Sequence, residues 1–87
     1  MADSFHLTIV SPAKVLFDGP AAMVEVPGSE GDMGVLPQHA PTLSMLREGT
    51  VTVHGTDKTV TRYHVTSGYA DITPTSCTIL SESVVAA

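Results

Sequence analysis

The sequence has few of the residues on which several classes of protein depend. Only 4 of its 87 residues are Lys or Arg against 9 Asp and Glu, and the formal net charge is −5. A chain without a basic cluster has nothing to neutralise phosphates, which argues against binding to nucleic acid or to anionic lipid surfaces. No apolar run approaches the roughly 20 residues that a membrane-spanning helix needs, so direct insertion into lipid is not expected.

Cysteine is almost absent, and no targeting segment is visible. Cys77 is the only cysteine, which excludes an internal disulfide and indicates a reducing compartment. It alternates with Ile79 in an apolar pattern, so we predict a buried core thiol and not a nucleophile. Residues 1–4 include an acid and lead into no apolar stretch, whereas a secretion signal needs a basic start and an apolar run.

The abundant residues are those that favour β-strands. Val, Ile and Thr together make up 25 of the 87 residues, and β-branched side chains pack well on a pleated surface. Phe5, Leu7 and Ile9 alternate with the residues at positions 6, 8 and 10 (His, Thr and Val), which is typical of a strand with one buried face. The predicted strands are 5–10, 14–17, 23–26, 50–54, 59–65, 69–73 and 77–81. Short strands at about ten-residue spacing predict an all-β sandwich or barrel.

Turn residues separate these strands and leave one segment ambiguous. Residues 18–20 (Asp-Gly-Pro) and 27–28 (Pro-Gly) are predicted to end strands, and residues 55–58 to form a hairpin turn. Residues 67–68 (Ser-Gly) indicate a bend or bulge. Residues 42–48 fit either a short helix that ends at the following glycine or a bent strand.

A glycine-rich loop at residues 28–34 superficially resembles a phosphate-binding loop. Such loops need a helix N-terminus behind them, and usually a basic residue, to hold the anion. Here Glu30 and Asp32 would repel phosphate, and the following Val-Leu-Pro cannot begin a good helix. The alternating acidic ligands of a calcium loop are also missing. We therefore expect no ATP or metal at this loop, and a solvated acidic tip suited to protein contact.

The histidines and serines give no sign of a catalytic or zinc site. No two of the four histidines have the i, i+2 or i, i+4 spacing of paired zinc ligands. His39 lies between Pro37 and Pro41, whose rings stiffen the backbone, and we predict for it a buried hydrogen bond or an interface contact. The other three fall on the polar or edge phase of predicted strands: His6, His54 and His64. No G-x-S-x-G motif marks a nucleophile, so no catalytic residue and no cofactor are predicted.

Five segments, in order along the chain, resemble the family of ATP synthase ε subunits, the equivalent of mitochondrial δ. The most specific is PGSEGDMGVLPQHAP at 27–41. The others are IVSP at 9–12 with VLF at 15–17, LREGTV at 46–51, TSGYADI at 66–72 and TILSE at 78–82. Two positions depart from the family pattern, because Gln38 and Ser67 stand where glycine is usual. If either position needs a positive φ, the side chain costs about 1 kcal/mol.

The resemblance implies a fold and a function. The expected fold is a flattened two-sheet β-sandwich of roughly eight to ten short strands, with residues 1–87 as a single domain. Most family members continue into a two-helix hairpin with an ATP-binding motif, and we expect a short form without either. The implied role is a non-catalytic rotor subunit of the central stalk, which joins the γ subunit to the c-ring on the cytoplasmic face of a bacterial inner membrane.

The resemblance also implies which residues face each partner. The tip expected to face the c-ring consists of Ser29, Glu30, Gly31 and Asp32. The region expected to face γ consists of His39, Ala40 and Pro41. The glycines expected to shape the backbone are Gly28, Gly34, Gly49 and Gly68. Two alternatives remain open from the residues alone: an unrelated sandwich module, for which exposed aromatics and a secretion signal would be expected, and a small hydrolase, for which a nucleophile would be needed.

Overall fold

The computed structural model describes residues 4–87, which form ten β-strands and no helix. The all-β class that the composition predicts is therefore confirmed. The strands are β1 Phe5–Val10, β2 Val15–Ala21, β3 Met23–Gly28, β4 Gly31–Val35, β5 Thr42–Leu46, β6 Gly49–His54, β7 Val60–Val65, β8 Gly68–Ile72, β9 Ser76–Ser81 and β10 Val84–Ala86.

The strands form one hydrogen-bonded path that folds over into two layers. The order along the path is β10-β7-β6-β3-β5-β8-β9-β1-β2, with β4 paired to β3. All pairs are antiparallel except β1 with β9. The path changes layer between β3 and β5, which share the single residue pair Gly28 and Leu46. The first layer therefore consists of β10, β7, β6, β3 and β4, and the second layer consists of β5, β8, β9, β1 and β2. The two ends of the path are also linked across the layers, because the Tyr63 hydroxyl on β7 donates a hydrogen bond to the Leu16 carbonyl on β2, at 3.4 Å. The expected two-layer sandwich is confirmed.

Alternate residues of the strands fill one core between the layers. Phe5, Leu7 and Ile9 of β1 point inward, as their spacing predicts, and are 4%, 0% and 0% exposed. Full burial of such a side chain contributes about 1.5–3 kcal/mol, so the alternation accounts for much of the drive to fold. Cys77 also lies in the core, as predicted, and this burial, reinforced by the nearby Asp71 charge, raises the pKa of its thiol to about 12.

Two predicted strand ends are wrong. Strand β2 continues through residues 18–20, and β3 continues through residues 27–28. Pro20 is accommodated because β2 is the last strand of the sheet path, where the missing N–H leaves no neighbour without a hydrogen bond. Pro27 likewise contributes only its carbonyl, which accepts a hydrogen bond from the Arg47 amide at 2.9 Å.

The ambiguous segment 42–48 contains no helix, and its residues 42–46 form strand β5. Leu43 and Met45 of β5 point to solvent while Leu46 is buried, which is the alternation of a strand. Strands β4 and β10 were not predicted. Of the two departures from the family pattern, only Gln38 has a positive φ, at 68°; Ser67 has an ordinary backbone conformation.

Candidate partner-binding surfaces

Strands β3 and β4 form a hairpin whose tip is exposed and acidic. Gly28 pairs with Gly31, so Ser29 and Glu30 are the two turn residues. Gly31 has a φ of 137°, in the region that favours glycine. All four predicted tip residues, Ser29 to Asp32, are exposed. The tip thus projects carboxylates into solvent from a backbone that the strand pairing defines. We call it the acidic tip.

The acidic tip is tied to strand β5 and the residue that follows it. The Ser29 amide donates to the Met45 carbonyl at 2.8 Å. The Arg47 guanidinium forms an ion pair with Asp32, although both side chains keep much of their exposure. Within residues 4–87 Glu30 takes part in no ion pair. Glu30 is therefore the carboxylate of the tip that is open to an outside partner.

The loop between β4 and β5 holds the second predicted region. The Gln38 amide donates to the Pro74 carbonyl at 2.8 Å, which anchors the loop on the β8–β9 turn. His39 is half-buried, and its Nδ1 lies 2.8 Å from the Ala40 carbonyl in an exposed, local hydrogen bond. The predicted alternative of a buried hydrogen bond is therefore wrong, and an interface contact stays a prediction. Ala40 and Pro41 are exposed. The loop therefore presents a stiff and mostly uncharged surface next to the start of β5.

Sequence reasoning missed a row of apolar side chains on the outer face of the second layer. The strand register aligns one outward side chain from each of five neighbouring strands. These side chains, which we call the apolar row, are Met45, Tyr69, Leu80, Val10 and Val15. Met45 and Val15 are 59% and 58% exposed, and Leu43 beside them is 67% exposed. A contiguous exposed apolar surface of this kind is typical of a protein-binding site.

A groove of about 260 Å³ lies along the apolar row. The residues that line it include Met45, Tyr69 and Leu80, together with Pro12 and Glu82. At Gly68 the strands approach so closely that a Cβ would lie 1.9 Å from the Leu80 carbonyl oxygen. The groove is therefore suited to receive an apolar side chain of a partner. Its shape requires glycine at position 68, because any Cβ there would clash with β9.

The other three glycines of the predicted set lie around the acidic tip. Gly28 is buried at the end of β3, where a Cβ would meet the Gly31 carbonyl oxygen at 2.6 Å. Gly34 lies in β4, where a Cβ would meet only the mobile end of the Met23 side chain. Gly49 begins β6 against Pro27. All three thus belong to the framework of the hairpin and its junction with β5 and β6.

The outer face of the first layer is mostly polar by contrast, although Val60 and Val85 are also exposed there. His54 on β6 lies 2.7 Å from Glu25 on β3, and His64 on β7 lies 3.1 Å from Glu48. As predicted, these histidines are on the polar phase of their strands; His6 likewise pairs with Asp18 at the other end of the sheet path. The two outer faces therefore differ in chemistry, and only that of the second layer carries the apolar row.

Neither face has the features of a metal or membrane-spanning site. Within residues 4–87 no three His, Cys, Asp or Glu side chains converge closely enough to hold a metal ion. The same residues include no helix with the length and apolar character needed to cross a membrane. The described surface carries an apolar row, a loop bounded by prolines and an acidic tip, and we take these as the candidate surfaces for contact with another protein.

Comparison with known protein families shows to which family this chain belongs. The family model for the ATP synthase delta/epsilon chain, β-sandwich domain, matches residues 4–87. The chain belongs to this family. The resemblance found in the sequence is thereby confirmed, and the alternative of an unrelated sandwich module is excluded.

Curated relatives agree with this assignment. The chain is 46% identical over 85 residues to the ATP synthase epsilon chain of Sinorhizobium fredii, covering 98% of this chain and 63% of the relative. It is 46% identical over 86 residues to that of Maricaulis maris, covering 99% and 64%. The chain thus spans about three-fifths of the length of these relatives.

Solved structures share the fold at low sequence identity. A chain of the Euglena gracilis mitochondrial ATP synthase, solved as OSCP/F1/c-ring, superimposes with a TM-score of 0.92 at 23% identity, covering 99% of this chain and 55% of that one. A chain of the Tetrahymena thermophila mitochondrial ATP synthase central stalk/c-ring superimposes with a TM-score of 0.78 at 17% identity, covering 93% and 65%. These similarities establish the same β-sandwich fold.

Proposed function

We propose that this chain is a non-catalytic rotor subunit that joins the γ subunit of an F-type ATP synthase to its c-ring. The observation that carries the proposal is the apolar row, an exposed surface across five strands with no covering element among residues 4–87. Interfaces derive most of their free energy from a few well-packed side chains that become desolvated, and aromatic residues and Met are enriched among interface residues. Met45, Tyr69 and Leu80 supply such side chains on the three adjoining strands β5, β8 and β9, and γ is the partner we assign to them.

The second partner is assigned to the acidic tip. Glu30 and its neighbours extend from the end of the hairpin, and no core packing requires a charge there. The c-ring is the partner we propose for this tip. His39, Ala40 and Pro41 lead directly into β5, and we assign them to the γ side together with the apolar row.

The closeness of the two surfaces supports a mechanical role. The Ser29 amide in the acidic tip donates a hydrogen bond to the carbonyl of Met45 in the apolar row. A load applied at one surface is thus transmitted to the other through main-chain hydrogen bonds and not through a flexible linker. In this proposal torque from the ring passes through the sandwich to γ, so that rotation drives ATP synthesis elsewhere in the complex.

Several further points follow from the same proposal. The single buried core supports treating the chain as one domain. A subunit between γ and the c-ring is peripheral to the membrane. We place this chain at the cytoplasmic face of a bacterial inner membrane. In this role the chain binds neither ATP nor nucleic acid. The acidic character of its glycine-rich hairpin supports the absence of a phosphate site.

Binding measurements with matched variants test the proposal. Met45→Glu places a charge in the apolar row, whereas Thr52→Glu places the same charge on the outer face of β6. We expect Met45→Glu to weaken γ binding at least about tenfold, because a buried unpaired charge is costly, and Thr52→Glu to leave it unchanged. Equal effects of the two variants would refute the assignment of γ to the apolar row.

A third variant tests the ring. Glu30→Lys reverses the unpaired charge of the acidic tip and leaves the Arg47–Asp32 ion pair in place. We expect weaker assembly with the c-ring, by about 1 kcal/mol or less for an exposed charge, and unchanged γ binding. Loss of γ binding with retained ring binding would show that the two surfaces are assigned the wrong way round.

A further inference from the structure

We propose that Arg47 is a positioning residue that fixes the acidic tip relative to the apolar row. The inference rests on the proposed function, since it concerns the tip assigned to the c-ring. Arg47 follows β5 directly, and its guanidinium pairs with Asp32 at the start of the β4 arm of the hairpin. Its own amide donates to the Pro27 carbonyl on the β3 arm, at 2.9 Å. One residue therefore holds both arms of the hairpin.

The β4 arm depends on this contact because of its place in the sheet. Strand β4 pairs with β3 alone, and its other edge has no strand partner in the described residues. The β3 arm is held at the junction by its pairing with β5 and β6. The Arg47–Asp32 ion pair is the side-chain link from β4 to the end of β5. Without it, the β4 arm at Asp32 is held only by its pairing with β3 and moves more freely, while Ser29 keeps its hydrogen bond to the Met45 carbonyl and the sandwich stays folded.

The surroundings of the guanidinium support a built arrangement. Arg47 lies over the start of β6, where a Cβ at Gly49 would be 3.5 Å from its Nη1 and 2.8 Å from the Pro27 Cβ. A glycine at position 49 thus leaves room for both Pro27 and the arginine. Pairing also assigns different tasks to the two acids of the tip. Asp32 is held internally by Arg47, and Glu30 remains for the partner.

Amide hydrogen exchange of the tip, measured by NMR on the full chain, tests the proposal. Arg47→Gln removes the ion pair and keeps the backbone amide. We expect the Gly31 and Asp32 amides to exchange at least about threefold faster, while amides of β1 and β9 are unchanged. Arg62→Gln on β7 removes the same charge away from the hairpin and should leave the tip unaffected. Salt should accelerate tip exchange in the wild type, because it screens the pair, and not in Arg47→Gln.

A charge swap separates pairing from mere packing. Arg47→Asp and Asp32→Arg should each loosen the tip, and the double variant should restore slow exchange. Unchanged tip exchange in Arg47→Gln, or a double variant no better than the singles, would overturn the proposal. The c-ring readout is separate. If the swap restores tip exchange but no variant alters ring assembly, the positioning role stands and the assignment of the tip to the c-ring fails.

Discussion

Met45 on β5 and Tyr69 on β8 lie directly opposite each other in an antiparallel pair, and both side chains point away from the core. Cross-strand apolar pairs stabilise a sheet modestly when exposed, and they become far more effective when a partner covers them. Leu80 on β9 extends the pair by one strand. This part of the apolar row, on three adjoining strands, distinguishes the outer face of the second layer from the mostly polar outer face of the first layer.

Two consecutive residues of β9 should respond in opposite ways to truncation. Ile79 is fully buried, whereas Leu80 is half-buried on the outer face. We expect Ile79→Ala to lower the free energy of unfolding by about 2–5 kcal/mol, because it leaves a cavity. Leu80→Ala should cost less stability and should weaken γ binding in the folded protein. Urea denaturation and calorimetry with γ measure the two effects. A larger stability loss in Leu80→Ala would mean that the inward and outward assignments of β9 are reversed.

Gln38 should be a site where glycine stabilises the protein. Its φ of 68° is in the left-handed region, which costs a side-chain-bearing residue about 1–2 kcal/mol. We expect Gln38→Gly to raise the free energy of unfolding by about 1 kcal/mol, because glycine adopts this φ without strain. The hydrogen bond from the residue 38 amide to the Pro74 carbonyl is retained. Ser67→Gly is the matched control and should bring no gain, because Ser67 has no positive φ. Equal stabilisation by both variants would exclude backbone strain as the cause.

The buried thiol should be unreactive in the native state and should make stability depend on pH in the alkaline range. Burial raises the pKa of Cys77 from 9.0 to about 12, so between these values the native state keeps a proton that the unfolded state has lost. The free energy of unfolding should therefore fall as pH rises from about 9 to about 12. Cys77→Ala should lack this component. A thiol reagent at pH 8 should label only unfolded protein, and rapid labelling of the folded chain would contradict the burial.

The core strands could be predicted because their pattern is local. Phe5, Leu7 and Ile9 alternate with polar residues, and alternation alone indicates which face is buried. Strand β4 escaped prediction because its sequence, GDMGV, contains two glycines and an acid; its strand geometry comes from pairing with β3. The β2 segment at 18–20 has turn-forming residues that an edge strand tolerates. In both segments tertiary pairing overrides the local preference.

The partner surfaces could be predicted only in part. The acidic tip and the proline-bounded loop each consist of consecutive residues, so the sequence alone indicates both as candidate contacts. The apolar row joins residues from five strands, including β1 and β9, whose parallel pairing links distant segments. In the linear sequence, Leu80 and Val10 cannot be distinguished from core residues. Only the strand register shows that they face outward. The Arg47–Asp32 ion pair could not be predicted either, because its two residues are distant in sequence and only the fold brings them together.

Site-specific cross-linking in the assembled synthase tests the central claim most directly. Glu30→Cys and Met45→Cys each add one exposed cysteine that can carry a photoreactive maleimide, and the wild type is the control because its own Cys77 is buried. We predict that the probe at position 30 links to the c-ring and that the probe at position 45 links to γ. Linkage of position 45 to the ring, of position 30 to γ, or of neither to either subunit would contradict a chain that joins the two through these surfaces.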